Sequence, residues 1–219
     1  MTFKAVIFDM GGVAVRLARH QKFVALIAQA YQQPFLRQKM FDFYEGKVSF
    51  EEVVSVTNNV FDKAGSIQDF ENADFKEQVG TTDTLILNAV RCLQAQGYKV
   101  GLLTNNGYWS RQRERSMIID EADQFDAVVE SCRVGFRKPQ PQIYKIMLDK
   151  LNVFPSESIM VDDSPLVLEA AHALGMGTVL VENQDTQKAI ADIYRLLNGE
   201  KFNALDEISN TEWKKRVFA

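Results

Sequence analysis

The sequence predicts an α/β fold: a doubly wound, Rossmann-like parallel sheet with an all-helical cap inserted after the first strand. Three observations support this prediction. Short apolar runs recur along the chain and are continuous rather than alternating, which is typical of parallel strands covered by helices on both faces. Segments with helical periodicity separate these runs, and such alternation favours a doubly wound sheet with right-handed crossovers. A long stretch of helical pattern with no comparable strand follows the first run.

Five apolar runs are predicted to form the core sheet. They lie at residues 6–8, 100–103, 127–129, 159–161 and 178–181. Three of them end in polar residues, which are Asp9, Thr104 with Asn105, and Asp162 with Asp163. In an open α/β sheet the carboxyl ends of neighbouring strands converge on one crevice, so these polar side chains are expected to meet there.

Residues 17–79 are predicted to form the cap, which leaves residues 1–16 and 80–219 for the core. Four cap helices are expected, at residues 23–31, 35–44, 50–61 and 67–79. An insert at this point would sit above the carboxyl ends of the strands, a position that suits a lid that excludes water and selects the substrate. The alternative is a helical layer packed on the core without a gating role.

Three helices of the core carry recognisable end signals. The first is expected at residues 82–96 and ends at Gly97. The second, at residues 139–152, opens with Pro139, which suits a first helical turn. The third, at residues 165–174, opens with Ser164 as a cap and Pro165, and it ends at Gly175.

Composition and charge limit the classes of function. Of 219 residues, 46% are hydrophobic and 25% are charged, as in ordinary globular proteins. The net charge of −4 argues against nucleic acid or an anionic membrane as the main partner. No apolar stretch approaches the roughly 20 residues that span a bilayer, so the chain is expected to be cytoplasmic. It is expected to be a monomer or a homodimer. Cys92 and Cys132 are far apart and are expected to be reduced core thiols.

The polar residues at the strand ends form a coherent phosphoryl-transfer site. Carboxylates from two strands, Asp9 on one and Asp162 with Asp163 on the other, can hold Mg²⁺. The Thr104 hydroxyl, backbone N–H groups and Lys138, which precedes the second helix, can bind phosphoryl oxygens. A carboxylate such as Asp9 can also attack phosphorus and form an aspartyl-phosphate.

Together these residues resemble the four motifs of the haloacid dehalogenase-like hydrolase superfamily. The matching segments are residues 8–13, 102–105, 137–139 and 161–164, and the likeness covers nearly the whole chain. The insert resembles the helical cap of this superfamily. Within it, residues 44–49 are similar to a segment of sugar-phosphatase-like members and of the phosphatase domain joined to epoxide hydrolases.

The resemblance implies a metal site for Mg²⁺. Asp9 would be both the nucleophile and a metal ligand, with the main-chain carbonyl of Gly11 as a second ligand. Asp163 would be the direct ligand from the fourth motif. Asp162 would act through water or as an orienting group.

The resemblance also implies a phosphoryl site. Thr104 and Lys138 would bind the phosphoryl group, and Lys138 would also offset the charge of Asp9. Asn105 would form hydrogen bonds in the same region. The backbone of Gly11 and Gly12 would line the substrate site.

Gly11 departs from the pattern of most phosphatases in the superfamily, which carry a second aspartate at this position as general acid and base. Loss of such a group costs about 10²–10⁴-fold in rate, or about 3–5 kcal/mol of barrier. The first interpretation is a slow or specialised Mg²⁺-dependent phosphatase that acts on a small phosphorylated metabolite with a good leaving group. Glu45, His20 or a water would then replace the missing acid.

Two alternatives remain open at the level of the sequence. The chain could be a non-catalytic module that binds a phosphorylated ligand. It could also be a dehalogenase- or phosphonatase-type hydrolase, since those members lack the second aspartate as well. Dehalogenases do not need the metal-binding pair, however, and phosphonate cleavage needs a reactive lysine in the cap.

Overall fold

Five apolar runs form one parallel sheet, as the sequence predicts. The computed structural model describes residues 2–17, 33–57 and 79–200. The strands in chain order are β1 (Ala5–Phe8), β2 (Val15–Leu17), β3 (Gly80–Thr82), β4 (Lys99–Thr104), β5 (Ala127–Glu130), β6 (Ser158–Asp162) and β7 (Gly177–Leu180). The core sheet has the order β5-β4-β1-β6-β7 with all pairs parallel. Phe8 pairs with Leu102 on one side and Val161 on the other, so the residues that follow these strands share one edge.

Helices cover both faces of this sheet. In chain order they are α1 (Pro34–Tyr44), α2 (Phe50–Thr57), α3 (Thr84–Ala95), α4 (Ser131–Val134), α5 (Pro141–Leu151), α6 (Pro165–Ala173) and α7 (Thr186–Leu197). Val6 and Phe8 of the central strand belong to the apolar cluster that includes α3 and α7. Ala5 and Ile7 belong to the cluster that includes α5 and α6. Because both faces of β1 are buried, its sequence is continuously apolar.

An antiparallel ribbon of β2 and β3 was not predicted. Leu17 pairs with Gly80 and Val15 pairs with Thr82, so the two ends of the chain segment 17–79 lie side by side. Asp83, directly after β3, accepts hydrogen bonds from Arg16 Nε at 2.8 Å and from Thr186 Oγ1 at 2.9 Å. The ribbon is therefore tied to the start of α7. Each strand has only three residues, too few for a period of two to be recognised.

Two details of the predicted core helices were wrong. The second helix begins at Pro141 rather than Pro139, because the residue before a proline is driven out of the helical region. Gln140 accordingly is extended, with φ −64° and ψ 131°. Ser164 is the N-cap residue of α6, but its side chain makes no capping hydrogen bond. Asp162 Oδ1 accepts from the Ser164 N–H at 2.8 Å instead.

The described part of the predicted cap is helical. α1 agrees with the helix expected at 35–44, and α2 with the first part of the helix expected at 50–61. The helices expected at 23–31 and 67–79 fall on residues that lie almost entirely outside the described part of the chain, as does His20. The boundaries of the core and cap remain predictions.

Two further expectations concern the cysteines and the membrane. Both cysteines are free thiols, but only Cys132 is buried; Cys92 is exposed on α3, which corrects the prediction of two core thiols. The exposed face of an amphipathic helix explains the error, since Cys92 lies next to the buried Leu93. Within the described ranges, no helix has both the length and the apolar character needed to cross a membrane.

Candidate active site

Asp9, Lys138 and Asp162 form a buried charged triad at the carboxyl edge of the sheet. Asp9 follows β1 directly, and Asp162 is the last residue of the neighbouring β6. The Lys138 ammonium lies 2.7 Å from Asp9 Oδ1 and 2.7 Å from Asp162 Oδ2. Its side chain is only 2% exposed. One ammonium thus bridges two carboxylates that the parallel register of β1 and β6 brings together.

Asp163 adds a third carboxylate to this cluster. One carboxylate oxygen of each of Asp9, Asp162 and Asp163 can be chosen so that all three lie within 4.8 Å of one another. The Asp163 residue is exposed at the surface, but its carboxylate packs beside Gly12. Gly12 has φ +78°, and a Cβ at this position would overlap the Asp163 carboxylate. Glycine is therefore required here for two independent reasons.

The charges of the cluster perturb one another strongly. Burial alone would lower the pKa of Lys138, but the charges of Asp162 and Asp9 outweigh it and raise that pKa, so the lysine stays an ammonium. Burial raises the pKa of Asp162, and the Lys138 ammonium opposes this shift. Loss of solvent around the carboxylate, followed by the charges of Asp162 and Asp9, raises the pKa of Asp163 to about 8. Three carboxylates thus face one ammonium, a pattern that favours a bound cation.

Thr104 and Asn105 lie at the same edge, at the end of β4. Thr104 is buried at 1% exposure and is the last residue of the strand. The Asn105 side chain contacts the main chain of Lys138 through both of its polar atoms. The structure therefore brings Asp9, Thr104, Asn105 and Lys138 to one crevice.

Gly11, unlike Gly12, has room for a side chain among the described residues. Its φ lies outside the left-handed region, and a Cβ built on it would meet only Leu17 Cδ2, at 3.9 Å. Neither the backbone nor the packing of the described residues requires glycine at this position. Among the described residues, the position at which the family resemblance implies an acid is therefore open to a side chain.

Glu45, which the sequence identified as a substitute acid, is held by cations. It caps the C-terminus of α1, where its carboxylate lies 2.6 Å from Lys47 Nζ and 3.4 Å from Arg137 Nε. Gln140 Nε2 also donates to Glu45 Oε1 at 3.2 Å. Both of its carboxylate oxygens are thus already engaged by Lys47, Arg137 and Gln140. This arrangement argues against Glu45 as the general acid.

Sequence reasoning assigned no role to Arg137, which connects the cap region to the site. Its guanidinium lies 3.6 Å from the centre of the Phe41 ring of α1, and it precedes the catalytic candidate Lys138. A cation over an aromatic ring is a stabilising contact. No sequence signal marks such a pair, because Phe41 and Arg137 are far apart in the chain.

Comparisons with known proteins identify the family of the chain. The family model described as haloacid dehalogenase-like hydrolase matches residues 3–175. The chain is 27% identical over 220 residues to bifunctional epoxide hydrolase 2 of Mus musculus, with 90% of this chain and 39% of that protein covered. It is 24% identical over 201 residues to the phosphorylated carbohydrates phosphatase of Thermotoga maritima, with 86% of this chain and 90% of that protein covered. The chain spans less than half the length of the epoxide hydrolase.

Solved structures share the fold. A HAD-like family hydrolase from Porphyromonas gingivalis has a TM-score of 0.67 and 22% identity, covering 91% of this chain and 100% of that chain. A HAD family enzyme from Bacteroides thetaiotaomicron, solved in complex with magnesium and inorganic phosphate, has a TM-score of 0.60 and 21% identity. That comparison covers 93% of this chain and 98% of the other. At such identities the likeness establishes a common fold.

Proposed function

The chain belongs to the haloacid dehalogenase-like hydrolases, and we propose that it is a Mg²⁺-dependent phosphatase that forms an aspartyl-phosphate on Asp9. The proposed substrate is a small phosphorylated metabolite. The observation that carries the proposal is the cluster of Asp9, Lys138, Asp162 and Asp163 at one edge of the sheet. The Thermotoga maritima relative, which is named a phosphatase, supports the same reaction class.

The residues of the cluster fit Mg²⁺. When all three of its carboxyl groups are ionised, they exceed its one ammonium by two negative charges, and carboxylate oxygens are the ligands that Mg²⁺ prefers. Asp9, Asp163 and the main-chain carbonyl of Gly11 would hold the ion. When bound, Mg²⁺ would supply a Lewis acid that polarises the phosphoryl oxygens. The Bacteroides thetaiotaomicron enzyme was solved with magnesium and inorganic phosphate, which supports this choice.

Asp9 is well prepared to act as a nucleophile. Lys138 binds Oδ1 of Asp9, which fixes the rotamer of the carboxylate and leaves Oδ2 available for attack. The ammonium also lowers the repulsion between Asp9 and an incoming phosphate dianion. Attack by Oδ2 forms the bond to phosphorus while the bond from phosphorus to the leaving oxygen breaks. Water then hydrolyses the aspartyl-phosphate and regenerates the carboxylate.

Within the described part of the chain, neither of the two positions considered for an acid, Gly11 and Glu45, holds a free carboxyl group for the leaving oxygen. Gly11 carries no side chain, and Glu45 is held between Lys47 and Arg137. The leaving oxygen would then depart as an anion or take its proton from water. Either route favours substrates whose leaving group is a weak base, which are aryl phosphates, acyl phosphates and anomeric sugar phosphates.

A panel of phosphate esters tests this proposal directly. Phosphate release from aryl, acyl and anomeric sugar phosphates is measured with Mg²⁺ and with EDTA, for the wild type, Asp9→Asn and Asp149→Asn. Asp149 is a matched control because it is an exposed aspartate that pairs with Lys145 at the surface. We expect Mg²⁺-dependent turnover in the wild type and in Asp149→Asn, and a loss of at least about 10³-fold in Asp9→Asn.

Two outcomes would contradict the proposal. Equal turnover by the wild type and Asp9→Asn would exclude Asp9 as the nucleophile. Tight binding of phosphorylated ligands without any turnover would indicate a non-catalytic binding module. Turnover is measured on the panel of phosphate esters, and binding of inorganic phosphate is measured by calorimetry.

A further inference from the structure

The side chain of Asn105 forms two hydrogen bonds with the main chain of one residue, Lys138. Asn105 Nδ2 donates to the Lys138 carbonyl oxygen at 3.0 Å, and the Lys138 N–H donates to Asn105 Oδ1 at 2.8 Å. Asn105 follows β4, whereas Lys138 lies 33 residues later in the loop before α5. The amide thus acts as a bidentate clamp between two loops of the site.

This clamp matters because of what the Lys138 side chain must do. The lysine stem has four rotatable bonds, and its ammonium is buried between Asp9 and Asp162. The two carboxylates hold only the far end of that stem. Asn105 holds the near end, so the two together determine where the ammonium lies relative to Asp9.

Asn105 also links Lys138 to Thr104, the residue that directly precedes Asn105 in the chain. Thr104 ends β4, and its register with β5 is fixed by the pairing of Thr104 with Glu130. The adjacent Asn106 is buried and donates to Glu130 Oε2 at 2.6 Å and to the Met117 carbonyl oxygen at 3.2 Å. The loop that carries Asn105 is therefore rigid on both sides, as a positioning device requires.

We propose that Asn105 is a positioning residue, whose side-chain amide holds the main chain of Lys138 and thereby places the ammonium against the nucleophile Asp9. This inference rests on the proposed function. It assigns Asn105 a role different from the substrate contact that the sequence predicted, because both polar atoms of its amide are already engaged with Lys138. The effect of Asn105 on catalysis is then transmitted through Lys138.

Two variants remove the clamp in different ways. Asn105→Ala removes both hydrogen bonds. Asn105→Asp keeps the shape and the acceptor for the Lys138 N–H, but it places a carboxylate oxygen against the Lys138 carbonyl oxygen. We expect both to lower kcat by about 10- to 100-fold, because small misplacements of a catalytic group have effects of this size, with KM changed by less than about threefold. Asn88→Ala, an exposed asparagine on α3, is the control for both.

A double-mutant cycle separates positioning from substrate contact. In a Lys138→Met background there is no ammonium to place, so Asn105→Ala should lower the remaining kcat by less than about twofold. A full 10- to 100-fold loss in that background would overturn the proposal, since it would mean that Asn105 acts on the substrate itself. A large rise in KM with unchanged kcat in Asn105→Ala would overturn it as well.

Amide hydrogen exchange gives a readout that needs no activity. The Lys138 N–H is bonded to Asn105 Oδ1, so its exchange, resolved by NMR, should accelerate by at least about 10-fold in Asn105→Ala. Asn88→Ala is the matched control: it removes an exposed asparagine of α3 that accepts a hydrogen bond from Arg91, and the exchange of the Lys138 N–H should change by less than about twofold. Equal acceleration in both variants would overturn the proposal.

The kinetic measurements and the hydrogen-exchange measurement together separate a failure of this proposal from a failure of the proposed function. A wild type without turnover on the phosphate panel contradicts the phosphatase. The exchange experiment still decides whether Asn105 holds Lys138, and it decides this even where Lys138→Met fails to fold.

Discussion

Gly11 is the residue at which a single substitution should increase activity. We expect Gly11→Asp to raise kcat on an alkyl phosphate by about 10-fold or more, because a positioned acid–base group contributes about 10²–10⁴-fold. The described residues permit the change, since Gly11 has an ordinary φ and the one atom among them that a Cβ there would meet is Leu17 Cδ2, at 3.9 Å. The measurement is kcat with saturating Mg²⁺ for a poor and a good leaving group.

Two variants control this prediction. Gly11→Asn has nearly the same shape as Gly11→Asp but cannot transfer a proton at neutral pH, so it should give no gain. The gain in Gly11→Asp should be larger for the alkyl phosphate than for an aryl phosphate, whose leaving group needs less protonation. No gain in a variant that folds and binds Mg²⁺ would mean that the Gly11 backbone cannot aim the carboxylate at the leaving oxygen.

The residues of the site differ in how far the sequence could identify them. Asp9, Thr104 and Asp162 were predicted to meet because each follows or ends a strand of one parallel sheet, and register brings such positions together. The bidentate contact of Asn105 with Lys138 could not be predicted, since it depends on the path of a loop. The pairing of Glu45 with Arg137 was missed for the same reason.

At the scale of elements, the close approach of the turn after α1 to α4 depends on glycine. The turn after α1 approaches the core so closely that a Cβ on Gly46 would overlap the carbonyl oxygen of Cys132. Beyond this turn, the N–H of Phe50 at the start of α2 donates to the Tyr108 carbonyl oxygen at 2.8 Å. Main-chain atoms cannot move aside as a flexible side chain can, so this contact tolerates no side chain.

We therefore expect Gly46→Ala to lower the free energy of unfolding and to weaken substrate binding. The loss should be about 2–4 kcal/mol, which combines about 1 kcal/mol for a left-handed φ with about 1–3 kcal/mol for overpacking. KM should also rise, because α1 carries the Glu45 and Phe41 that contact Arg137 beside the site. Urea denaturation and steady-state kinetics measure the two effects.

Gly97→Ala is the matched control for this prediction. Gly97 has φ +87° and Gly46 has φ +69°, so alanine at either position would be forced into the unfavourable left-handed region. No atom lies within 4 Å of a Cβ on Gly97, however. Gly97→Ala should lose only about 1 kcal/mol and keep its KM. Equal losses for the two variants would show that the close approach to Cys132 contributes nothing.

The elements themselves were predictable where their pattern was long or strong. The five core strands are continuous apolar runs, and α3, α5 and α6 have clear apolar faces, so both classes were predicted. The ribbon of β2 and β3 was missed because three residues carry no period, and its pairing joins residues on either side of the insert. α7 was not predicted, although Asp185 caps it by accepting from the Lys188 N–H. That capping signal was overlooked rather than absent.

At the scale of the whole molecule, the distribution of charge has one unusual feature. The net charge is only −4, yet three carboxylates converge on one ammonium at the edge of the sheet. Like charges at this separation destabilise the folded protein, since the unfolded chain separates them. Mg²⁺ should therefore act on global stability as well as on catalysis.

We expect Mg²⁺ at about 100 times its Kd to raise the free energy of unfolding by about 2.7 kcal/mol, because it binds the folded state alone. For a chain of this length that corresponds to a rise in Tm of about 5–10 °C. The measurement is a thermal melt at pH 7.5 over a titration of MgCl₂, with NaCl added to hold the ionic strength constant. EDTA should return the Tm to its starting value.

Asp163→Asn tests this prediction through two effects on Tm, one without Mg²⁺ and one with it. With its pKa raised to about 8, the Asp163 carboxyl must take up a proton or bear the repulsion of its neighbours when the metal-free protein folds at pH 7.5. Asparagine avoids this cost, so the metal-free variant should melt at a higher temperature than the metal-free wild type. The substitution also removes a proposed ligand, so the same variant should lose most of its response to Mg²⁺. Asp149→Asn, which changes an exposed aspartate by the same chemistry, should keep the wild-type response. If Asp163→Asn responded to Mg²⁺ as the wild type does, the cation would have to bind elsewhere. Binding at this cluster should relieve the repulsion that the Asp163 carboxylate experiences from Asp9 and Asp162, so the response must depend on that side chain.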